Sequence, residues 1–132
     1  MQKRQSQVRA HRIPFDLTVS AKTIGTGSTY PLSTVDISRT GLLLSWHKKM
    51  SIPFHDGTIV ELEIDPENKY LDNTVTCLAK VIRVNRDGTE HSEIEQFQIG
   101  LQIVQIETKD YAEWENCLWD LEMSHGLVKR IG

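Results

Sequence analysis

With 132 residues, 39% of them hydrophobic and 25% charged, the chain is long enough for one domain with its own core and has no bias toward disorder. No apolar run approaches the roughly 20 residues that span a bilayer, and no apolar signal core follows the basic start, so a cytoplasmic protein is expected. The net charge is −3, yet the first twelve residues carry +4 and the rest sum to −7, so only one short arm is net basic, which argues against the broad basic face that long nucleic acid demands.

That arm, MQKRQSQVRAHR (residues 1–12), carries Lys3, Arg4, Arg9 and Arg12 and no acid. Such an arm suits a small anion better than a duplex, and the planar guanidinium fork matches anionic oxygens bidentately.

Strand periodicity dominates after the arm. In FDLTVSAK, Phe15, Leu17, Val19 and Ala21 alternate with polar residues, the period of a half-buried strand. IGTGSTYP reads as a turn. STVDI and GLLLSW read as two shorter strands flanking the bend Asp36-Ile-Ser-Arg-Thr-Gly41. SIPFHDG is a second turn, and TIVELEI a further strand with Val60, Leu62 and Ile64 on one face. DPENKYLDN is a third turn. VTCLAKVIRV alternates from Val75 to Val81, then its apolar set shifts to Ile82 and Val84, which predicts a bulge or bend there with the other face turned inward. Asp87-Gly88 favours a hairpin into FQIGLQI, where Phe97, Ile99, Leu101 and Ile103 share a face.

Only the end reads as helix. In residues 108–126, Tyr111, Trp114, Leu118 and Leu121 recur at steps of three and four. Thr108 is placed as the cap, Asp110 suits the positive end of the dipole, and Gly126 is placed as the stop. Trp114 and Leu118 are expected to dock on the strands, with Trp119 partly exposed to a partner. About six short strands and a terminal helix together predict an all-β domain, a small closed or nearly closed antiparallel β-barrel over residues 13–107 with a C-terminal helix and a short tail, 127–132.

Catalysis is not expected. Among His11, His47, His55, His91 and His125 no pair has metal-ligand spacing. No nucleophile elbow or phosphate-binding glycine loop appears. Cys77 and Cys117 are expected to be buried free thiols.

The bend itself carries more chemistry than a turn needs. The carboxylate of Asp36 offers two acceptor oxygens, Ser38 can donate and accept, Arg39 can meet a phosphate or another anion, and Gly41 supplies either a positive φ or a close approach. The local alternative is that Asp36 and Ser38 bond only to nearby backbone.

DISRTG fits the DxSxxG motif of PilZ domains. RAHRIPFDLTV resembles the arginine-rich lead into the first PilZ strand, and IPFHDGTIVELEI, CLAKVIRV and FQIGLQIVQI are similar to the later strands. The resemblance implies a six-stranded barrel that binds cyclic di-GMP, a bacterial second messenger. It implies an RxxxR arm wrapped over the ligand, with Asp and Ser of the turn contacting a guanine. The implied ligand contacts are Arg4, Arg9, Arg12, Asp36, Ser38, Arg39 and Gly41, with no further cofactor and with a protein partner that receives the signal. The arm departs from the family at one place. Arg12 matches the second arginine, but the position four before it is Val8, and Arg9 stands three before. The alternative reading is a PilZ-like domain without ligand, acting as a protein-interaction module in motility or pilus function.

Overall fold

A computed structural model describes residues 12–25, 27–47, 53–66, 70–87 and 96–124. Its strands are β1 (Ile13–Pro14), β2 (Thr18–Thr23), β3 (Thr29–Ile37), β4 (Gly41–His47), β5 (Ile59–Ile64), β6 (Val75–Asp87) and β7 (Gln96–Ile106), followed by the helix α1 (Thr108–Ser124). Every pairing is antiparallel. The order is β1-β3-β2-β5-β6-β7-β4, and β4 pairs back onto β3, so six strands close a barrel. Among the described strands, closure leaves no long open edge on which another chain can template. The short β1 is appended to β3, with Ile13 opposite Ile37 and Pro14 opposite Asp36.

The alternation read from the sequence is the packing of the barrel. Val19, Ala21, Val60, Leu62, Ile64, Val75, Ala79, Val81, Ile99 and Leu101 are buried. From α1, Trp114, Cys117, Leu118 and Leu121 enter the same cluster. The ends of the apolar stripes are only half-buried. Phe15 packs edge-on against Tyr70 and Phe97 against Trp46, with centroids 5.4 and 5.3 Å apart.

The passage from β1 to β2 shows why a hydroxyl is buried in this core. Thr34 accepts from the backbone N–H of Leu17 at 2.7 Å and donates to the carbonyl of Phe15. Groups that lose their ladder partners at that crossing are thereby satisfied.

The structure corrects four expectations. Thr29, Tyr30 and Pro31, read as turn, belong to β3, because Lys22, Ala21 and Ser20 pair with them. A partner strand overrides local turn composition. The bend in β6 is present as a register shift between Val81 and Arg83, with a second between Leu78 and Ala79. Ile82 does not turn inward, however. Val81 pairs with Leu101 and Arg83 with Gly100, so Ile82 is the extra residue of the bulge and is 47% exposed. On α1, Tyr111 lies mostly outside the buried stripe and Cys117 takes the place in the core. Thr108 is the first helical residue rather than the cap before it, and the N–H of Tyr111 closes the first turn on the carbonyl of Glu107. The tip of the hairpin at Gly88 and the stop at Gly126 lie outside the described residues. Cys77 and Cys117 are free and buried. No helix among the described residues is long and apolar enough to cross a membrane.

Candidate functional site

The pairing of β1 with the end of β3 fixes where the arm enters the barrel. Ile13 stands opposite Ile37, so Arg12 arrives beside the residues that open the DISRTG turn. Its guanidinium Nη1 donates to Asp36 Oδ1 at 3.0 Å, with the arginine side chain 62% exposed and the aspartate 20%. An exposed pair of this kind contributes about 0–1 kcal/mol. It leaves the second carboxylate oxygen and most of the guanidinium donors available.

The turn is built by Ser38. Its backbone N–H donates to the carbonyl of Gly41 at 2.9 Å, and its hydroxyl oxygen accepts from the N–H groups of Gly41 and Thr40 at 3.1 and 3.3 Å. The same hydroxyl is oriented to donate to the carbonyl of Gly41, at 3.3 Å. The local serine turn is therefore present, and one edge of Ser38 still faces the cleft beside it. Gly41 is needed for close approach and not for a positive φ. A Cβ there would collide with the carbonyl oxygen of Leu101.

From below, α1 holds the turn. Trp114, fully buried, donates its indole N–H to the carbonyl of Ser38 at 3.2 Å. Arg39 forms a bidentate pair with Glu122, both bonds 3.1 Å, and its Nε lies 4.0 Å from Glu115. The hydrogen bond that Arg39 donates to Glu122 raises the pKa of Arg39 further above its usual value. Arg39, expected at a phosphate, therefore points to the helix, and it lines a different groove with Tyr111 and Val104.

A cleft of about 370 Å³ opens between the turn and the outer face of the barrel. Arg12, Ser38, Thr40 and Gly41 form one side, and Ile82, Arg83, Gly100 and Gln102 the other. Among the described residues that line it are two guanidinium groups and no carboxylate. A second groove of about 370 Å³, near the start of α1, is lined by Glu61, Glu107 and Asp110 against a single Lys109. That balance repels an anion, so the cleft at the turn is the candidate site. Among the described residues no group of acidic, histidine or cysteine side chains is placed to hold a metal.

The structure thus gathers Arg12, Asp36, Ser38 and Gly41 at one corner and turns Arg39 away from it. Arg4 and Arg9 lie outside the described residues. Ile82, Arg83 and Gln102 join the corner although no motif marks them, together with Gly100, the glycine of FQIGLQIVQI. For the first three, the one signal in the sequence is the break in alternation at Ile82.

Known proteins share this architecture. A family model described as PilZ domain matches residues 2–119. Among solved structures, the PilZ domain with c-di-GMP of YcgR from Escherichia coli is 12% identical with a TM-score of 0.70, over 90% of this chain and 94% of that one. MrkH of K. pneumonia is 21% identical with a TM-score of 0.72, and the match covers 98% of this chain and 54% of MrkH. The Bacillus subtilis Inhibitor of motility, MotI/DgrA, is 20% identical with a TM-score of 0.68, over 98% of this chain and 55% of that one. The chain therefore spans about half the length of MrkH and MotI. No curated protein sequence matches significantly. At these identities the solved structures establish a shared fold, while the family match runs from the arm through the turn and barrel into the helix: this chain belongs to the PilZ domain family.

Proposed function

We propose that the protein is a non-catalytic receptor for cyclic di-GMP, which lies in the cleft between the arm and the DISRTG turn. The observation that supports the reading is Arg12 meeting Asp36 beside a cleft whose described lining holds Arg12 and Arg83 and no carboxylate. Cyclic di-GMP has two phosphates and two guanines. Arg12, with Arg9 and Arg4 before it, supplies forks for phosphate and for O6 and N7 of guanine. Asp36 accepts from N1–H and N2–H2 once Arg12 swings from it to the ligand, and the edge of Ser38 adds a polar contact. Gly41 lets the turn sit close to β7. Arg39 has no ligand contact in this reading; it clasps the turn to α1.

The signal passes along that clasp. Ligand contacts at Asp36 and Ser38 bear on a turn that Trp114 and Glu122 hold from the helix. A partner then reads the helix surface around Trp119, which is 49% exposed. This is a population shift driven by differential contact. The family match supports the reading, as do the similar folds of YcgR with c-di-GMP and of PlzA from Borreliella burgdorferi in complex with c-di-GMP.

Isothermal calorimetry with cyclic di-GMP tests it. The wild type releases heat with a fitted stoichiometry, and the double variant Arg9→Ala/Arg12→Ala loses about a hundredfold or more in affinity, at about 1.5–3 kcal/mol for each charge-assisted bond. A wild type that gives no heat removes the ligand.

A second reading, a PilZ-like interaction module without ligand, draws on two observations. Val8 stands where the family's first arginine is expected, and the hydroxyl of Ser38 is already bonded within its own turn. The same calorimetry separates the two.

A further inference from the structure

The second register shift between β6 and β7 marks a surface outside the candidate cleft. Leu78 pairs with Gln105 and Ala79 with Ile103, so Val104 is the extra residue of a bulge in β7. A bulge releases a side chain from strict inside–outside alternation, and Val104 is 49% exposed. It lines a groove of about 480 Å³ with Ile103, Ile106 and Tyr111. Tyr111 is 37% exposed, and Glu115 and Trp119 follow it at steps of four along the exposed side of α1. Arg39 and Thr40 of the DISRTG turn complete the lining. Thr40 also lines the candidate cleft, and its carbonyl accepts from the N–H of Ile103 at 2.8 Å. The groove and the cleft therefore share the turn.

The charge around the groove is acidic. Glu122 neutralises Arg39 through two hydrogen bonds. Glu115 adds a second carboxylate, 4.0 Å from Arg39 Nε and 3.4 Å from the Tyr111 hydroxyl that donates to it. One guanidinium against two carboxylates leaves a net negative charge, and the exposed Glu107 next to Ile106 in the chain increases it. Such a field attracts cationic groups and repels nucleic acid and anionic lipid headgroups. Exposed apolar side chains gathered in a groove with a polar rim mark a protein contact. We infer that this groove docks a basic segment of a partner protein. An aliphatic side chain of that segment seats between Val104 and Tyr111, and a lysine or arginine meets Glu115. The inference deepens the receptor reading, on which its role as signal output rests, by stating where the partner sits and what chemistry it brings.

Titration of the full chain with a short amphipathic leucine–lysine peptide, followed by NMR shifts, tests the site beside leucine–glutamine and leucine–glutamate peptides of the same pattern. The leucine–lysine peptide binds best, and its shifts centre on Val104, Ile106 and Tyr111. Val104→Asp weakens it about tenfold or more, although the added carboxylate would strengthen adsorption by charge alone. Tyr111→Ala weakens it by a similar factor, and Glu115→Gln about two- to fivefold, the range of an exposed ion pair. All three side chains are exposed, so the variants melt near the wild type. Absent binding, equal binding of the three peptides, shifts centred elsewhere, or undiminished binding by Val104→Asp overturns the site. A wild type that dimerises in sedimentation and becomes monomeric as Val104→Asp names a second copy as the occupant and overturns the basic partner. Binding that emerges only in Lys129→Ala/Arg130→Ala names the chain's own end and does the same. Calorimetry with cyclic di-GMP on the same sample keeps the two readings apart. Peptide binding without cyclic di-GMP binding leaves the groove standing and removes the receptor, and the reverse result removes the groove alone.

Discussion

At the scale of single residues, the corner works through short-range geometry. Arg12, Asp36, Ser38 and Gly41 owe their positions to β1 lying against the end of β3 and to a turn closed by one serine. Gly41 gives the sharpest expectation. Gly41→Ala would push a methyl into the carbonyl of Leu101, and costs about 1–3 kcal/mol in denaturant unfolding. An unchanged midpoint would show that β4 and β7 can part without penalty. The residues legible in the sequence are those whose partners are near in the chain or that carry a motif. The pairing of Arg39 is not legible from sequence because its partner, Glu122, lies 83 positions away, and no spacing rule reaches that far. Arg83 escapes notice because an arginine inside an apparent strand reads as a solvated face unless the register is known.

At the scale of elements, α1 is both core and clasp. Its buried side fills the barrel with Trp114, Leu118 and Leu121, and the same side carries a buried glutamate. Burying an ionised carboxylate is costly unless it is paired, and Arg39 pairs it bidentately. Glu122→Ala is expected to destabilise by about 1–3 kcal/mol, below the cost of a fully buried pair because Arg39 is 29% exposed and regains some water. A double-mutant cycle with Arg39→Ala measures the coupling, and additivity would show that the two groups act independently. Trp114→Phe keeps an aromatic ring but removes the indole N–H. It leaves the carbonyl of Ser38 unsatisfied, at about 1–3 kcal/mol. In the receptor reading it also weakens ligand binding, which calorimetry on the refolded variant checks. The strands themselves are legible from alternation, since period two is set by the pleat. The start of β3 is not, because Gly-, Ser- and Pro-rich composition suggests a turn until β2 supplies the pairing partner. The break at Ile82 announces a bulge, but the direction of the extra side chain depends on β7.

At the scale of the whole molecule, closure and burial govern chemical reactivity. Burial pushes the thiols of Cys77 and Cys117 up to about 12 from an ordinary 9.0, with nearby Asp110 acting on the first and Asp120 and Glu113 on the second. A raised pKa in the folded state means that the thiols stabilise the fold fully below about pH 9 and that this contribution is lost as pH rises toward about 12. Unfolding free energy should therefore fall across that alkaline window, and Cys77→Ser/Cys117→Ser should flatten the fall. At neutral pH a thiol reagent should leave both cysteines unlabelled until denaturant opens the barrel. Rapid labelling of the native protein would contradict the packing.

The clasp between Arg39 and Glu122 also orders events during translation. Arg39 leaves the ribosome 83 residues ahead of the glutamate that fixes it. At ordinary elongation speeds that interval is on the order of ten seconds. Until it ends, a nascent chain carries the arm and the corner without the strut beneath them. If the strut sets the corner, ligand binding in the receptor reading begins only once α1 has emerged, and a ribosome stalled before it displays a corner that does not yet bind.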